Sequence, residues 1–274
     1  MADTDHLTPL SRLLTAIQAS PTEETTIEIP DDWLQGRAIY GGLSAALCLQ
    51  SVLSQSKTLP PLRSAQLAFV APAGPGVILA PRILREGKSA VFAAADMCRD
   101  DGAVAARATF CFGRARPSKL SYADVVAPDV AEPEAAPPFF EMPDGQLMGP
   151  EFARHFDSRH AAGALPMGQA ETPEFVAWMR HRDPGITSTA VALAALADAL
   201  PPAAMACFDA PAPVSSMTWQ FDMLDAAPQT TDGWWLCRSA AEAIDEGYAA
   251  QTMTIWNRDC RPILVGRQQV AVFY

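Results

Sequence analysis

Long uncharged apolar runs are missing from this chain. No stretch of about 18 residues could span a membrane as a helix, and no membrane partner is expected. Positive charge is also scarce: 20 Lys and Arg stand against 31 Asp and Glu, for a net charge of −11. Nucleic-acid binding, which needs basic patches to neutralise phosphates, is disfavoured, although a few local arginines could still hold a small anion. The N-terminus, MADTDHLTPLSRLLTAIQAS, begins acidic and has no basic segment ahead of an apolar one. It does not read as a signal peptide, and a cytoplasmic location is expected. The six cysteines (Cys48, Cys98, Cys111, Cys207, Cys237, Cys260) form no C-x-x-C pair and have no histidine at ligand spacing. No metal site is expected; they read as small buried side chains in a reducing compartment. No G-x-S-x-G elbow occurs, and REGKSA lacks phosphate-loop spacing. The four histidines, His6, His155, His160 and His181, fall outside the predicted central helices and strands and read as surface or linker residues.

What the chain does contain is a repeat. With 49% hydrophobic residues in 274, there is material for one large core or two fused smaller ones. LSRLLTAIQA reads as a first amphipathic helix. EIPDDWLQGRAIYGGLSAALCLQSVLSQ, a Pro-Pro break and four strand-like runs follow: LRSAQLAFV, GVILAPRILRE, SAVFAAADMCR and AVAARATFCFG. Turn signals APAGPG, REGKS and RDDGA separate them. Residues 173–274 repeat the order, with the helix STAVALAALADAL, a second Pro-Pro break, then SSMTWQFDML, WWLCRSAAEA, YAAQTMTIWN and ILVGRQQVAVF. One helix feeding a long antiparallel sheet, twice over, is the layout of an α+β double hotdog, in which each sheet wraps a central helix buried nearly all round. The predicted division is an N-terminal unit over 1–116, a connector over 117–172 and a C-terminal unit over 173–274. The Pro- and acid-rich stretch 117–150 reads as an irregular surface segment anchored by Phe139, Phe140 and Met142.

Candidate chemistry centres on Asp198, a carboxylate inside GITSTAVALAALADALPP. Such a group is costly to bury unless it is hydrogen-bonded or used, yet exposed at the helix end it would oppose the helix dipole. In SSMTWQFDM, strict alternation puts Met217, Trp219, Phe221 and Met223 on one face and Ser216, Thr218, Gln220 and Asp222 on the other. In ILVGRQQVAVF, whichever of Gln268 and Gln269 faces inward must find partners. An acid, a hydroxyl and an amide that converge suit activation of a water molecule. Each also has a plain structural reading, as a helix-end acid, a strand serine and a buried amide.

The order of helix Asp, strand hydroxyl and strand Gln resembles the acyl-CoA thioesterase II family of double-hotdog thioesterases. FVAWMRHRDPG resembles the Trp-x-Arg segment leading into that family's second central helix, and WLQGRAIYGGLSAA its first-half entry, where a Tyr/Phe-Gly-Gly pair begins the first helix. The resemblance implies hydrolysis of acyl-CoA to free acid and CoA, with a role in fatty acid metabolism and no cofactor. Asp198 would activate water, Ser216 would stand where the family usually has threonine, and Gln268 would be the family glutamine. Thr218 and Gln269 are the fallback positions, Thr218 being expected on the same face as Ser216. Gly41 and Gly42 either present helix N-terminal N–H groups to an oxyanion or permit close helix–sheet packing. Tyr40 would line the substrate site or simply pack in the core, and Arg82, Arg85, Lys88, Arg114 and Arg116 are candidates for CoA phosphates or for a solvated strand edge. Self-association into dimers or larger oligomers is expected. The alternative is a non-catalytic hotdog protein binding acyl-CoA or a lipid-like ligand. A dehydratase is disfavoured by the lack of a core histidine.

Overall fold

In the computed structural model, residues 7–19, 23–56, 58–141 and 146–274 are described; His6 and Met142 lie outside them. Helix α1 (Leu10–Ala19) turns Leu10, Leu13, Leu14 and Ile17 inward, the three-and-four spacing of an amphipathic helix. Strand β1 (Thr25–Glu28) and a small hairpin of β2 (Leu34–Gln35) and β3 (Ala38–Ile39) lead to α2 (Gly41–Gln55). Four strands follow: β4 (Leu62–Phe69), β5 (Gly76–Glu86), β6 (Ala90–Arg99) and β7 (Val104–Gly113). Next in the chain come β8 (Phe156–Gly163), β9 (Glu174–His181) and α3 (Ala190–Ala197). The second set of four is β10 (Val214–Met223), β11 (Trp235–Asp245), β12 (Tyr248–Asn257) and β13 (Pro262–Val272).

Eleven strands form one antiparallel sheet in the order β1-β5-β6-β7-β4-β10-β13-β12-β11-β9-β8. Its middle is a seam where the first sheet strands of the two repeats pair antiparallel, with Gln66 opposite Gln220. Outward from that seam the first five strands on each side follow in the same order, with β8 added at the C-terminal edge, so the two units are related by a pseudo-twofold axis. The symmetry extends to irregularities. β4 slips register against β7 between Leu62 and Ser64, and β10 slips against β13 between Ser216 and Thr218. Each slip inserts one extra residue, a β-bulge. The two helices lie against each other and the inner sheet face. Their buried residues run unbroken from Gly42 to Val52 in α2 and from Val191 to Ala197 in α3. Neither helix needs a polar face, which accounts for their Ala- and Leu-rich sequences.

The stretch 117–150, expected to be irregular, contains none of the named helices or strands; β8 follows it, in the last part of the connector, and pairs with β9. Phe139 and Phe140 are buried anchors as expected, while Val125, Ala127 and Val130 cover a second apolar cluster of Trp178, Trp234, Leu236 and Trp256. The indole N–H groups of Trp178 and Trp256 donate to the carbonyls of Ala131 and Val125, both at 2.9 Å, tying the strap down. The expectation for the histidines needs correction, for they are not all surface residues. His160 lies within β8 and His181 ends β9. His155 is buried and stacked on Trp33, with ring centroids 3.7 Å apart. His181 Nε2 lies 2.8 Å from the Ala192 carbonyl oxygen, bridging strand to helix. Contacts between distant segments recruited these side chains, and no local pattern marks that.

Burial pushes the imidazoles of His155 and His181 each down to about 4. An unfolded histidine titrates at about 6.5, so between those values the unfolded chain binds protons that the folded chain refuses. The stability present above pH 6.5 is therefore lost as pH falls through 4. Thermal unfolding followed by circular dichroism is expected to show the midpoint falling over that window. A variant carrying His155→Gln and His181→Gln should show a shallower fall, and an unchanged slope would assign acid sensitivity to other groups.

Candidate active site

Asp198 caps the C-terminus of α3, with φ −92° and ψ 7°. Alone, that location sets its charge against the negative end of a helix dipole. The packing of α3 on α2 reverses the situation, for the carboxylate sits at the N-terminus of α2, where the Gly42 N–H favours its charged form. Gln268 donates its Nε2–H to Asp198 Oδ1 at 2.5 Å. Although the residue keeps a partly exposed edge, its carboxylate is enclosed by the helix ends and the sheet. Desolvation pushes it up to about 7, and the Gln268 hydrogen bond and the Gly42 N–H, which favour the charged form, do not offset it. A carboxylate poised there can take up and release a proton near neutrality.

Behind Gln268 lies a residue the sequence reading missed. Gln251 donates to Gln268 Oε1 at 2.6 Å, and its own Oε1 accepts the Ala203 N–H at 2.8 Å. Both amides are almost wholly buried. A signal existed: in YAAQTMTIWN, Gln251 shares a face with Ala249, Met253 and Ile255, and it is the polar member of that buried row.

The bulge in β10 decides the hydroxyl. Ser216 pairs with Val270 and Trp219 with Gln268, and both of these partners are buried. Ser216 therefore shares the inner face with Gln268, one diagonal step away across the strand pair. Thr218 pairs with Gln269 on the outer face. Strict alternation had grouped Ser216 with Thr218 and Met217 with Trp219; the inserted residue, Met217, is instead 41% exposed and shifts the parity. Thr218 and Gln269 thus lie away from Asp198.

The glycines at the start of α2 have separate steric reasons. A β-carbon on Gly41 would lie 2.5 Å from Asp198 Oδ2 and 3.3 Å from Phe69 Cζ. One on Gly42 would lie 2.5 Å from both the Ala195 carbonyl oxygen and the Tyr40 hydroxyl. Tyr40 is buried, stacks on Phe152 at 3.9 Å and donates its hydroxyl to Ala195 at 2.9 Å. It ties the two helices together from inside the core. Of the candidate phosphate-binding cations, Arg82 is engaged by Asp96 at 3.0 Å. Arg85, Lys88, Arg114 and Arg116 are exposed. Among the described residues no cluster of three or more His, Cys, Asp or Glu could hold a metal ion, and no helix is long and apolar enough to cross a membrane.

Residues 29–113 match the acyl-CoA thioesterase N-terminal domain, and residues 129–272 match the acyl-CoA thioesterase C-terminal domain. The chain belongs to the acyl-CoA thioesterase family. It is a thioester hydrolase, and its substrate class is acyl-CoA. A search of curated proteins finds no significant match. Among solved structures, the thioesterase is similar to a hotdog-fold protein of unknown function from Alicyclobacillus acidocaldarius. That likeness has a TM-score of 0.84 and 22% identity over 95% of this chain and 98% of the other. It is also similar to the acyl-CoA thioesterase II TesB2 of Mycobacterium marinum, with TM-score 0.73 and 18% identity over 95% and 98%. The tesB protein of Mycobacterium avium subs paratuberculosis gives 0.74 and 15% over 96% and 99%. At these identities the structures speak for the shared fold alone.

The two glycines of this thioesterase should fail differently. Gly41→Ala displaces the carboxylate, so kcat is expected to fall by about 10²-fold with the thermal midpoint little changed. Gly42→Ala forces the helices apart and should destabilise the fold by about 1–3 kcal/mol. Steady-state kinetics and thermal melts on both variants check this; a Gly41→Ala enzyme with full turnover would separate the close approach from catalysis.

Proposed function

We propose that this thioesterase hydrolyses acyl-CoA by direct attack of a water molecule activated by Asp198. The carboxylate takes a proton from water as the water oxygen bonds to the thioester carbonyl carbon. The C–S bond then breaks, and the departing sulfur receives the proton from Asp198, leaving free acid and CoA thiol. No covalent acyl-enzyme is formed. Gln268 holds one carboxylate oxygen, so the lone pair that meets water points in a fixed direction. Ser216, on the same sheet face, orients the water through its hydroxyl. The N-terminus of α2 contributes partial positive charge beside the reacting centre, which favours charge developing on the carbonyl oxygen.

The observation that carries this reading is the hydrogen-bonded Asp198 carboxylate at the N-terminus of α2, pushed up to about 7. A general base must be unprotonated to work, so kcat should fall as pH drops below about 7 and level off above it. Asp198→Asn is expected to lower kcat by roughly 10²–10⁴-fold, the usual contribution of a positioned base, with the melting curve retained. Ser216→Ala should lose part of the rate, and Ser216→Thr, which keeps the hydroxyl and stiffens its rotamer, should retain it. Undiminished turnover by folded Asp198→Asn would remove the residue from the mechanism.

A further inference from the structure

We infer that Gln251 is a positioning residue for hydrolysis, fixing which end of the Gln268 amide faces Asp198. The inference rests on the role proposed for Asp198 and Gln268. Its basis is the direction of donation along a chain of four groups. The Ala203 backbone N–H can only donate, so the Gln251 end it meets must be Oε1. Gln251 then presents Nε2, whose proton goes to Gln268 Oε1. That leaves Gln268 Nε2 to face the carboxylate. An ionised carboxylate can only accept, so both ends of the chain impose the same polarity.

The ends are also close in sequence. Asp198 and Ala203 flank Ala199-Leu200-Pro201-Pro202. The two prolines have no N–H, so Ala203 carries the first available donor after them. The loop that follows α3 is thereby fastened to β12 and β13 at both of its ends, through two side chains. Without Gln251, the buried Gln268 Oε1 would have no partner, a cost that draws the amide out of alignment.

The pseudo-twofold axis distinguishes this role from one required by the fold. Register places Ala93 where Gln251 stands, Phe110 where Gln268 stands and Leu62 where Ser216 stands. All three are buried. The same scaffold positions are filled by apolar side chains in the N-terminal unit, so neither bulge nor sheet calls for an amide pair. The polar set occurs in the unit that carries Asp198.

A double-mutant cycle tests the inference, using the fastest of a panel of straight-chain acyl-CoAs as probe. Gln251→Met, of similar volume, is expected to lower kcat by about 10- to 100-fold with little change in KM, as loss of a hydrogen bond aligned on a charged group would. The acid limb of its kcat profile should move to higher pH, since Asp198 loses its aligned donor. In a Gln268→Met background, Gln251→Met should add almost nothing, because it acts through Gln268. Effects that multiply in the double variant, or an unmoved acid limb, would overturn the inference. If Gln251→Met does not fold, Gln251→Ala, the residue found at the equivalent Ala93, takes its place; failure of both to fold would make Gln251 part of the scaffold and end the inference. Asp198→Asn run alongside separates the two levels. If it is inactive while the glutamine effects multiply, only the role of Gln251 falls; if it is active, the proposed water activation falls with it.

Discussion

A desolvated carboxylate must be compensated locally, and the placement of Asp198 between two helix ends meets that need. α3 directs its dipole unfavourably at the residue that caps it, but α3 has eight residues and α2 has fifteen. The N-terminus of the longer helix lies against the same carboxylate and favours its charge. For the helices to approach this closely, Gly41 and Gly42 must lack side chains, and the Tyr40 hydroxyl must reach the last turn of α3. The wrapping of the sheet, the all-round burial of both helices and the small residues of α3 keep that junction dry. A wetter junction would return the acid to its ordinary range and leave it a weaker base at neutral pH.

Much of this architecture was legible from sequence. Repeat length, Pro-Pro breaks and acid-Gly turns indicated two helix-plus-four-strand units, and each predicted strand is present. Asp198 was singled out as a carboxylate in an apolar segment and Gln268 through the family resemblance, with Gln269 left open by the strand itself; Asp198 and Gln268 are in contact. The alternation argument applied to Ser216 did not hold. Alternation assigned it the face of Thr218, and only the inserted Met217 returns it to the inner face beside Gln268. A bulge leaves no mark in one strand's sequence, because it is a mismatch in count between two paired strands. β8, an edge strand whose sequence FDSRHAAG has few strand-favouring residues, escaped notice. Gln251 could have been found by applying to β12 the inward-amide test applied to β13.

The symmetry of the fold explains why the polar groups gather in one half. A homodimer of identical hotdog units would place the same side chains at both ends of the helix pair. Fusion into one chain frees the two ends to diverge. In this chain the C-terminal unit keeps Ser216, Gln251 and Gln268 at positions where the N-terminal unit has Leu62, Ala93 and Phe110. One end of the helix pair is therefore packed like an ordinary core and contributes apolar burial. The other carries a strained electrostatic arrangement that tends to cost stability.

Neither unit holds a complete site by itself. Asp198, Ser216 and Gln268 belong to the C-terminal repeat, whereas the helix N-terminus that answers the charge, the glycine that makes room for it and the Phe69 ring beside it belong to the N-terminal repeat. The seam between β4 and β10 is the element that fixes their relation, with five residue pairs from Thr218 opposite Ala68 to Asp222 opposite Ser64. A shift of one residue along that seam would carry the carboxylate's sheet partners past the end of α2 and exchange inner for outer faces in β10. The geometry of the proposed site and the sheet register are thus set by the same hydrogen bonds, which ties the proposed chemistry to the integrity of the whole sheet rather than to either half.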